Sequence, residues 1–313
     1  MRISDAVAEY VSSKQAMGMC FQTEPRILRS FCRAMGDADL ADVHHAPVEA
    51  FLADTNPVTS FWHYKYTILK GFFRFTVNRG YLNVSPLPKT LPKRPEPYKP
   101  HIYTLEELKA LLAATDSLLT PLSPLQAVSY RTLLLTLYGT GLRISEALSL
   151  TIADVNLKES LILVRDSKFF KTRLVALGPR LTDRLCSYLE KRRQLPCPLG
   201  EDSAFLATRT GHFLMYGQVS KVFRRLRNLA GLRRGEGARY APRIHDIRHS
   251  FALHRLEAWY REGADVQRLL PHLSTYLGHV GIAETQRYLT MTPDLLKEAN
   301  RRFERYALGV TDA

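Results

Sequence analysis

Cysteine is scarce: Cys20, Cys32, Cys186 and Cys197 are scattered, and no two form a Cys-x-x-Cys pair. That spacing excludes a zinc ribbon and a disulfide framework, and it suits a reducing cytosol. Long apolar runs are missing as well. Nowhere does the chain approach the ~20 apolar residues that span a bilayer, and its first residues, Met-Arg-Ile-Ser-Asp-Ala-Val, hold no apolar stretch followed by a cleavage site. The expectation is a cytoplasmic protein with no membrane partner. No Gly-x-x-x-x-Gly-Lys-Ser/Thr loop is present to cradle a nucleotide phosphate. No carboxylate cluster has metal-ligand spacing, which argues against a metal-dependent nuclease. Neither cofactor nor metal is expected. Negative charge is the last shortage: 30 Asp and Glu face 44 Lys and Arg, for a net charge of +14.

What is there begins with that basic excess, which is unevenly placed. Residues 1–88 carry 9 basic and 8 acidic side chains, so +13 falls on residues 89–313. Such a field fits a polyanion, and nucleic acid is the first candidate. At 313 residues the chain is long for one domain and comfortable for two.

The first 88 residues read as a four-helix unit. Helical stretches are expected around residues 3–19, 25–35 and 47–54. A fourth begins at Asn56-Pro57, an N-cap followed by proline at the first helical position. Along it Phe61, Lys65, Ile68, Phe72 and Phe75 recur at helical spacing up to Gly80, a stripe read as core packing. Between Pro86 and Pro100 stand six prolines in fifteen residues, which favours an extended strap over a helix. Lys89, Lys93, Arg94 and Lys99 would let that strap follow a phosphate backbone. Thr104-Leu-Glu-Glu107 restarts helical structure with a capping box. The domain reading is therefore 1–88, a linker at 89–103, and 104–313.

The second domain continues with an apolar helix near 125–138, broken at Gly139-Thr-Gly141, after which Arg143 opens another. Leu161–Val164 and Thr172–Leu177 have strand patterning and form a hairpin with Asp166 to Lys171 at its tip. From residue 180 helical signals return, and 221–262 is dense in arginine.

Short motifs carry the chemistry. With 10 His and 31 Arg in the chain, about one His-x-x-Arg is expected by chance, so His245-x-x-Arg248 alone is uninformative. Its place on a helix puts both side chains on one face. Alone, His279 would be a helix-start histidine and Tyr288 a half-buried core tyrosine. The ordered set says more: Gly141-Leu-Arg143-Ile-Ser-Glu146, Lys168 in the hairpin, His245-Asp-Ile-Arg248, Leu277-Gly-His279, and Tyr288 nine residues on.

That order resembles the tyrosine recombinase (phage-type integrase) family, in the two-domain Xer-like form, over nearly the whole chain. The resemblance implies a mainly α fold with a small antiparallel sheet. An N-terminal four-helix, SAM-like core-binding domain would precede an α+β catalytic domain. It also implies catalytic Arg143, Lys168, His245, Arg248 and His279, with Tyr288 as nucleophile. Phe169 and Phe170 depart from the glycine-rich hairpin tip of many members. Lys168 and Lys171 thus both stand open as the lysine that reaches DNA, spacing favouring Lys168. Lys89, Lys93, Arg94, Lys171, Arg173 and Arg243 are the expected DNA contacts.

The chemistry agrees with the resemblance. Charge grows on the non-bridging oxygens when a phosphodiester is attacked, and fork-shaped, permanently ionised arginines can hold them. A phenol with pKa near 10 needs its proton removed or its anion stabilised; the arginine pair can do the second, and His245 is read as the base for the first. The departing 5′ oxygen needs a proton, which the resemblance assigns to Lys168, while His279 orients the phosphate. The implied product is a 3′-phosphotyrosyl link at Tyr288 with a free 5′-hydroxyl. Strands would then exchange pairwise through a Holliday junction. The implied partners are duplex DNA with paired sites and further protomers: two per site, four in the synapse, of this chain or of a related recombinase. A short amphipathic helix near 293–305 would dock into a neighbouring protomer. The rival readings are a type IB topoisomerase-like nicking and closing enzyme and a catalytically silent DNA-binding protein. Chromosome dimer resolution, phage integration and transposon movement (transposition, DNA integration) all use this chemistry, and Leu273–His279 with the Pro-Asp-Leu-Leu tail resembles recombinases of mobile elements.

Overall fold

The computed structural model describes residues 1–19, 21, 23–53, 58–96, 98–120, 124–167, 171–195, 197–233, 235 and 240–290, with 297, 300, 301, 303 and 304 beyond. It divides into two compact units, Met1–Tyr98 and Lys99–Ala313, and the division falls inside the proline-rich stretch.

The first unit is built from α1 (Ile3–Ala16), α2 (Glu24–Ala34), α3 (His45–Leu52) and α4 (Ser60–Asn78). Proline stands in the first turn of α2, where its missing N–H costs no hydrogen bond. Ile3, Leu28, Phe31, Val48, Leu69, Phe72 and Phe73 fill the centre. Phe31 meets Phe73 edge-on at 5.8 Å, and each buried ring contributes roughly 1.5–3 kcal/mol. Asn56 and Pro57 lie outside the described residues, and the helix they were expected to open starts at Ser60, after Thr59. The helical stripe also needs one correction. Phe61 is 49% exposed while its neighbour Trp62 is buried, so the packed face of α4 runs through Trp62, Lys65, Leu69 and Phe72. Lys65 is buried instead, donating from Nζ to the Phe51 carbonyl at 2.7 Å with Nζ 4.6 Å above the Phe51 ring. The start of the proline strap is fastened to this unit: the Tyr66 hydroxyl donates to the Pro88 carbonyl, and His45 Nδ1 meets the Pro86 carbonyl.

The second unit opens with α5 (Leu105–Ala114), where the expected capping box forms: the Thr104 hydroxyl accepts from Glu107 N–H and Glu107 accepts from Thr104 N–H. Then come α6 (Pro124–Thr140) and α7 (Ile144–Ser149). Helix α6 runs through Gly139 and stops at Gly141, whose φ of +62° suits glycine alone at low cost. The sheet is antiparallel in the order β1 (Val155–Asn156), β2 (Leu161–Ser167), β3 (Lys171–Ala176). The sequence reading contained the β2–β3 hairpin and not the two-residue β1. Pairing of Ile162 with Val175 and Val164 with Arg173 turns Ile162, Val164 and Val175 into the core. Helices α8 (Pro179–Arg193), α9 (Tyr216–Leu229), α10 (Asp246–Arg261), α11 (Val266–Leu277) and α12 (Ala283–Gln286) follow, and a 3-10 turn covers Arg287–Thr290. A large core spans α5 to α9, and a separate apolar cluster joins α10, α11 and Tyr288. Among the described residues no helix is long and apolar enough to cross a membrane.

Candidate active site

The site gathers around the end of α11. That helix stops at Gly278, which takes the left-handed conformation (φ +67°, ψ +42°) that glycine adopts without strain. The reversal sends the Leu277 and Gly278 carbonyls toward two arginines. Arg248, in the first turn of α10, donates to Leu277 O at 2.6 Å and to Gly141 O at 2.7 Å. Arg143, the residue before α7, donates to Gly278 O at 2.8 Å and to Glu146 Oε1 at 2.8 Å. Positions 143 and 248 thus meet on consecutive carbonyls, and His279 is the next residue along. Arg248 is only 3% exposed; burial, helped by the neighbouring Arg143 charge, lowers its pKa to about 10, so it stays charged near neutral pH.

Glu146 organises the arginines. It accepts from Arg143 N–H at 2.9 Å and receives both arms of Arg173, at 3.1 and 2.8 Å. Burial alone would raise its pKa, yet hydrogen bonds from Arg173 and the Arg143 backbone, with the Arg173 charge, bring it to about 2. Arg173, expected on the DNA, is turned inward: Nε donates to the Tyr276 carbonyl at 2.9 Å and the side chain is almost fully buried. The reason is strand parity. Arg173 shares a face with buried Val175, while Leu174 points outward at 60% exposure. Gly278 allows this, since a Cβ there would lie 2.8 Å from an Arg173 guanidinium nitrogen.

The imidazoles and the phenol line the other side. His279 follows the helix end, its N–H bonded to Ser274 O, so it closes a helix rather than starting one. Its Nδ1 lies 2.7 Å from the Thr285 hydroxyl. Burial, then Arg248 and Arg143, lower its pKa to about 3, so the ring is neutral. The Tyr288 ring stacks on it with centroids 6.3 Å apart. Tyr288 is 2% exposed, more enclosed than the half-buried core tyrosine considered from sequence, and burial raises its pKa against the pull of Arg248 and Arg287. His245 caps α10 in helical geometry, one turn from Arg248. Burial, then Arg248 and Arg243, lower its pKa.

The imidazole on the Tyr288 hydroxyl is a different one. His249 Nδ1 lies 3.0 Å from Tyr288 Oη. Sequence reasoning passed over His249, although it stands four residues after His245, on the same helical face. Arg243 is half-exposed and ion-paired with buried Asp246 at 3.1 Å. Lys89, Lys93 and Arg94 are exposed in the first unit. Lys168 lies outside the described residues, and Lys171 opens β3 opposite Ser167. Of the 293–305 segment only Lys297, Asn300, Arg301, Phe303 and Glu304 are described, all helical.

Residues 102–294 match the model of the phage integrase family. An integrase/recombinase of Sinorhizobium fredii is 34% identical over 96% of this chain and 96% of that protein. The tyrosine recombinase XerC of Oceanobacillus iheyensis is 31% identical, covering 89% of this chain and 87% of its own. In fold the chain is similar to a lambda integrase, solved as a tetramer bound to a Holliday junction, with a TM-score of 0.67, 17% identity, and coverage of 92% of this chain and 77% of that one.

Proposed function

The chain belongs to the phage integrase family as a tyrosine recombinase, an enzyme of site-specific DNA recombination, and from that premise we propose which residues cut and rejoin the strands. The observation that carries the assignment is the convergence at residues 277–279. Arg143 and Arg248 bind neighbouring carbonyls there, with His279 adjoining and Tyr288 stacked on it. A guanidinium has five N–H donors, so each arginine has donors beyond those two carbonyl bonds to offer a phosphate. Together they hold the non-bridging oxygens and stabilise the charge that builds there. His279, neutral and accepting at Nδ1 from Thr285, donates from Nε2 to the same phosphate. His245 borders the phosphate from the start of α10.

Tyr288 Oη attacks phosphorus, forms the 3′-phosphotyrosyl bond, and releases the 5′ oxygen, which takes a proton from Lys168. A second 5′-hydroxyl reverses the step on a new partner strand, so the phosphoester is conserved. Arg173 serves as a positioning residue rather than a DNA contact, since it ties β3 to the carboxylate that holds Arg143. Lys89, Lys93, Arg94, Lys171 and Arg243 make the contacts along the backbone. Two protomers act per site and four in the synapse, as in the lambda integrase tetramer on its junction, with this chain or a related recombinase as the second copy. The 293–305 segment docks between protomers, and the enzyme works in the cytoplasm.

A nicked suicide duplex tests the reaction. A covalent protein–DNA adduct should survive EDTA and disappear in Tyr288→Phe, with DNA binding retained. Absence of any adduct on a cognate site would leave a DNA-binding protein. Nicking and closing without strand exchange would make it topoisomerase-like. Deleting residues 293–313 should abolish assembly on paired-site DNA.

A further inference from the structure

The Tyr288 proton was expected to pass to His245, yet His249 stands between them; resting on the reading of Tyr288 as nucleophile, we propose that His249 is the catalytic base that takes it. The Tyr288 hydroxyl faces His249 Nδ1 at 3.0 Å with ring centroids 5.7 Å apart, whereas His245 meets the His249 ring edge-on at 5.3 Å, one ring further back. To act as the base, the imidazole takes the tautomer that carries its hydrogen on Nε2, in which the phenol is the donor of this bond. The cluster is fixed from three elements: His249 on α10, Tyr288 on the turn after α12, and His279 at the end of α11 against the tyrosine ring.

The step balances. As Oη bonds to phosphorus, the Oη–H bond breaks and its proton passes to Nδ1, giving an imidazolium. The P–O5′ bond breaks on the opposite side, and the 5′ oxygen is protonated by the separate acid. Rejoining runs backward, with His249 returning the proton to Tyr288. Burial opposes protonation of His249 most, His245, Arg248 and Arg243 on its own segment add to it, and Asp246 favours it. A bound phosphodiester adds a negative charge to that ring of cations. Proton acceptance therefore becomes easier when DNA occupies the site, which couples activation of the tyrosine to the presence of its target.

The test uses the full chain and a nicked duplex carrying a site selected for binding from a random pool. A second duplex replaces the scissile 5′ oxygen with sulfur, a leaving group that needs no acid. His249→Ala and His249→Asn should bind both duplexes normally yet form adduct about 10²-fold more slowly on each. Asparagine keeps an acceptor near the Nδ1 position and cannot take the proton. Added imidazole should restore His249→Ala, and Lys168→Ala should recover on the sulfur duplex alone. Wild-type rates in His249→Asn would reduce His249 to a hydrogen-bond acceptor and overturn the proposal. Rescue of His249→Ala by the sulfur duplex would place it on the leaving-group side, which overturns it too. No adduct from the unsubstituted chain would instead refute the reading of Tyr288 itself.

Discussion

The interior of the first unit and the interior of the site are both well buried, yet they are held by opposite means. Phe31, Phe72 and Phe73 pack as hydrocarbon, and their contribution follows area removed from water. Around Gly278, buried Arg248, Glu146 and Arg173 are held by hydrogen bonds of 2.6 to 3.1 Å to carbonyls and to one another. A core of the first kind tolerates a change of shape. One of the second kind fails when a single partner leaves, because a buried charge is then uncompensated. The comparison separates residues that keep the chain folded from residues that keep two cations aimed at one spot.

The largest effect should come from Arg248→Ala. It leaves the Gly141 and Leu277 carbonyls without their guanidinium and, on the proposed reading, removes a donor from the phosphate, so adduct formation should fall by about 10²–10³-fold. Arg248→Lys should not restore it, since an ammonium cannot span both carbonyls as a fork does. Binding to DNA, spread over many basic contacts, should change little in a gel-shift titration. Next comes Glu146→Ala, which strands Arg173 and Arg143 together and should cost about 3–5 kcal/mol in urea unfolding. Phe72→Leu in the first unit should cost only about 1 kcal/mol and leave cleavage at saturating DNA unchanged. Were Phe72→Leu to cost as much in unfolding as Glu146→Ala, or to slow cleavage, the two interiors would not differ in kind.

The mildest effect is a slope with pH. His249 and His279 titrate near 4 and 3 in the folded chain, below the 6.5 of an unperturbed histidine. The unfolded chain therefore binds more protons below pH 6.5, so this contribution to stability is intact above that pH and declines as acid approaches the folded values. Tm measured at pH 7 and pH 5 should show the decline, and His249→Asn should flatten part of it.

The sequence made the order of the chemistry legible and left its wiring hidden. Arg143, His245, Arg248, His279 and Tyr288 can be picked out because few reactions need those types in that order. The four helices of the first unit fall where helical stretches were read, though with no side-chain cap bond at their starts, and the β2–β3 hairpin falls where strand patterning was read. Phe61 misled because Trp62 beside it fits the same spacing, and the spacing does not say which of the two faces the core. Arg173 misled because charge suggested an outward cation, although Val175 two residues on predicts the inward face of the strand. Its partner Glu146 lies 27 residues away on another element, a pairing that no local pattern contains. His249 was visible as a residue and invisible as a role, since only the fold brings position 288 against it.

Gly278 carries a consequence for how this chain can change over generations. The volume that any side chain there would need is filled by the Arg173 guanidinium, whose other end is committed to Glu146. Every substitution at 278 adds a Cβ, and a shorter residue at 173 would make room only by taking two hydrogen bonds from Glu146, which would keep Arg143 alone. Substitutions at 146, 173 and 278 should therefore be non-additive, each changing what the other two cost. A mutational library meant to retarget this enzyme has its best room elsewhere, with those three codons left alone.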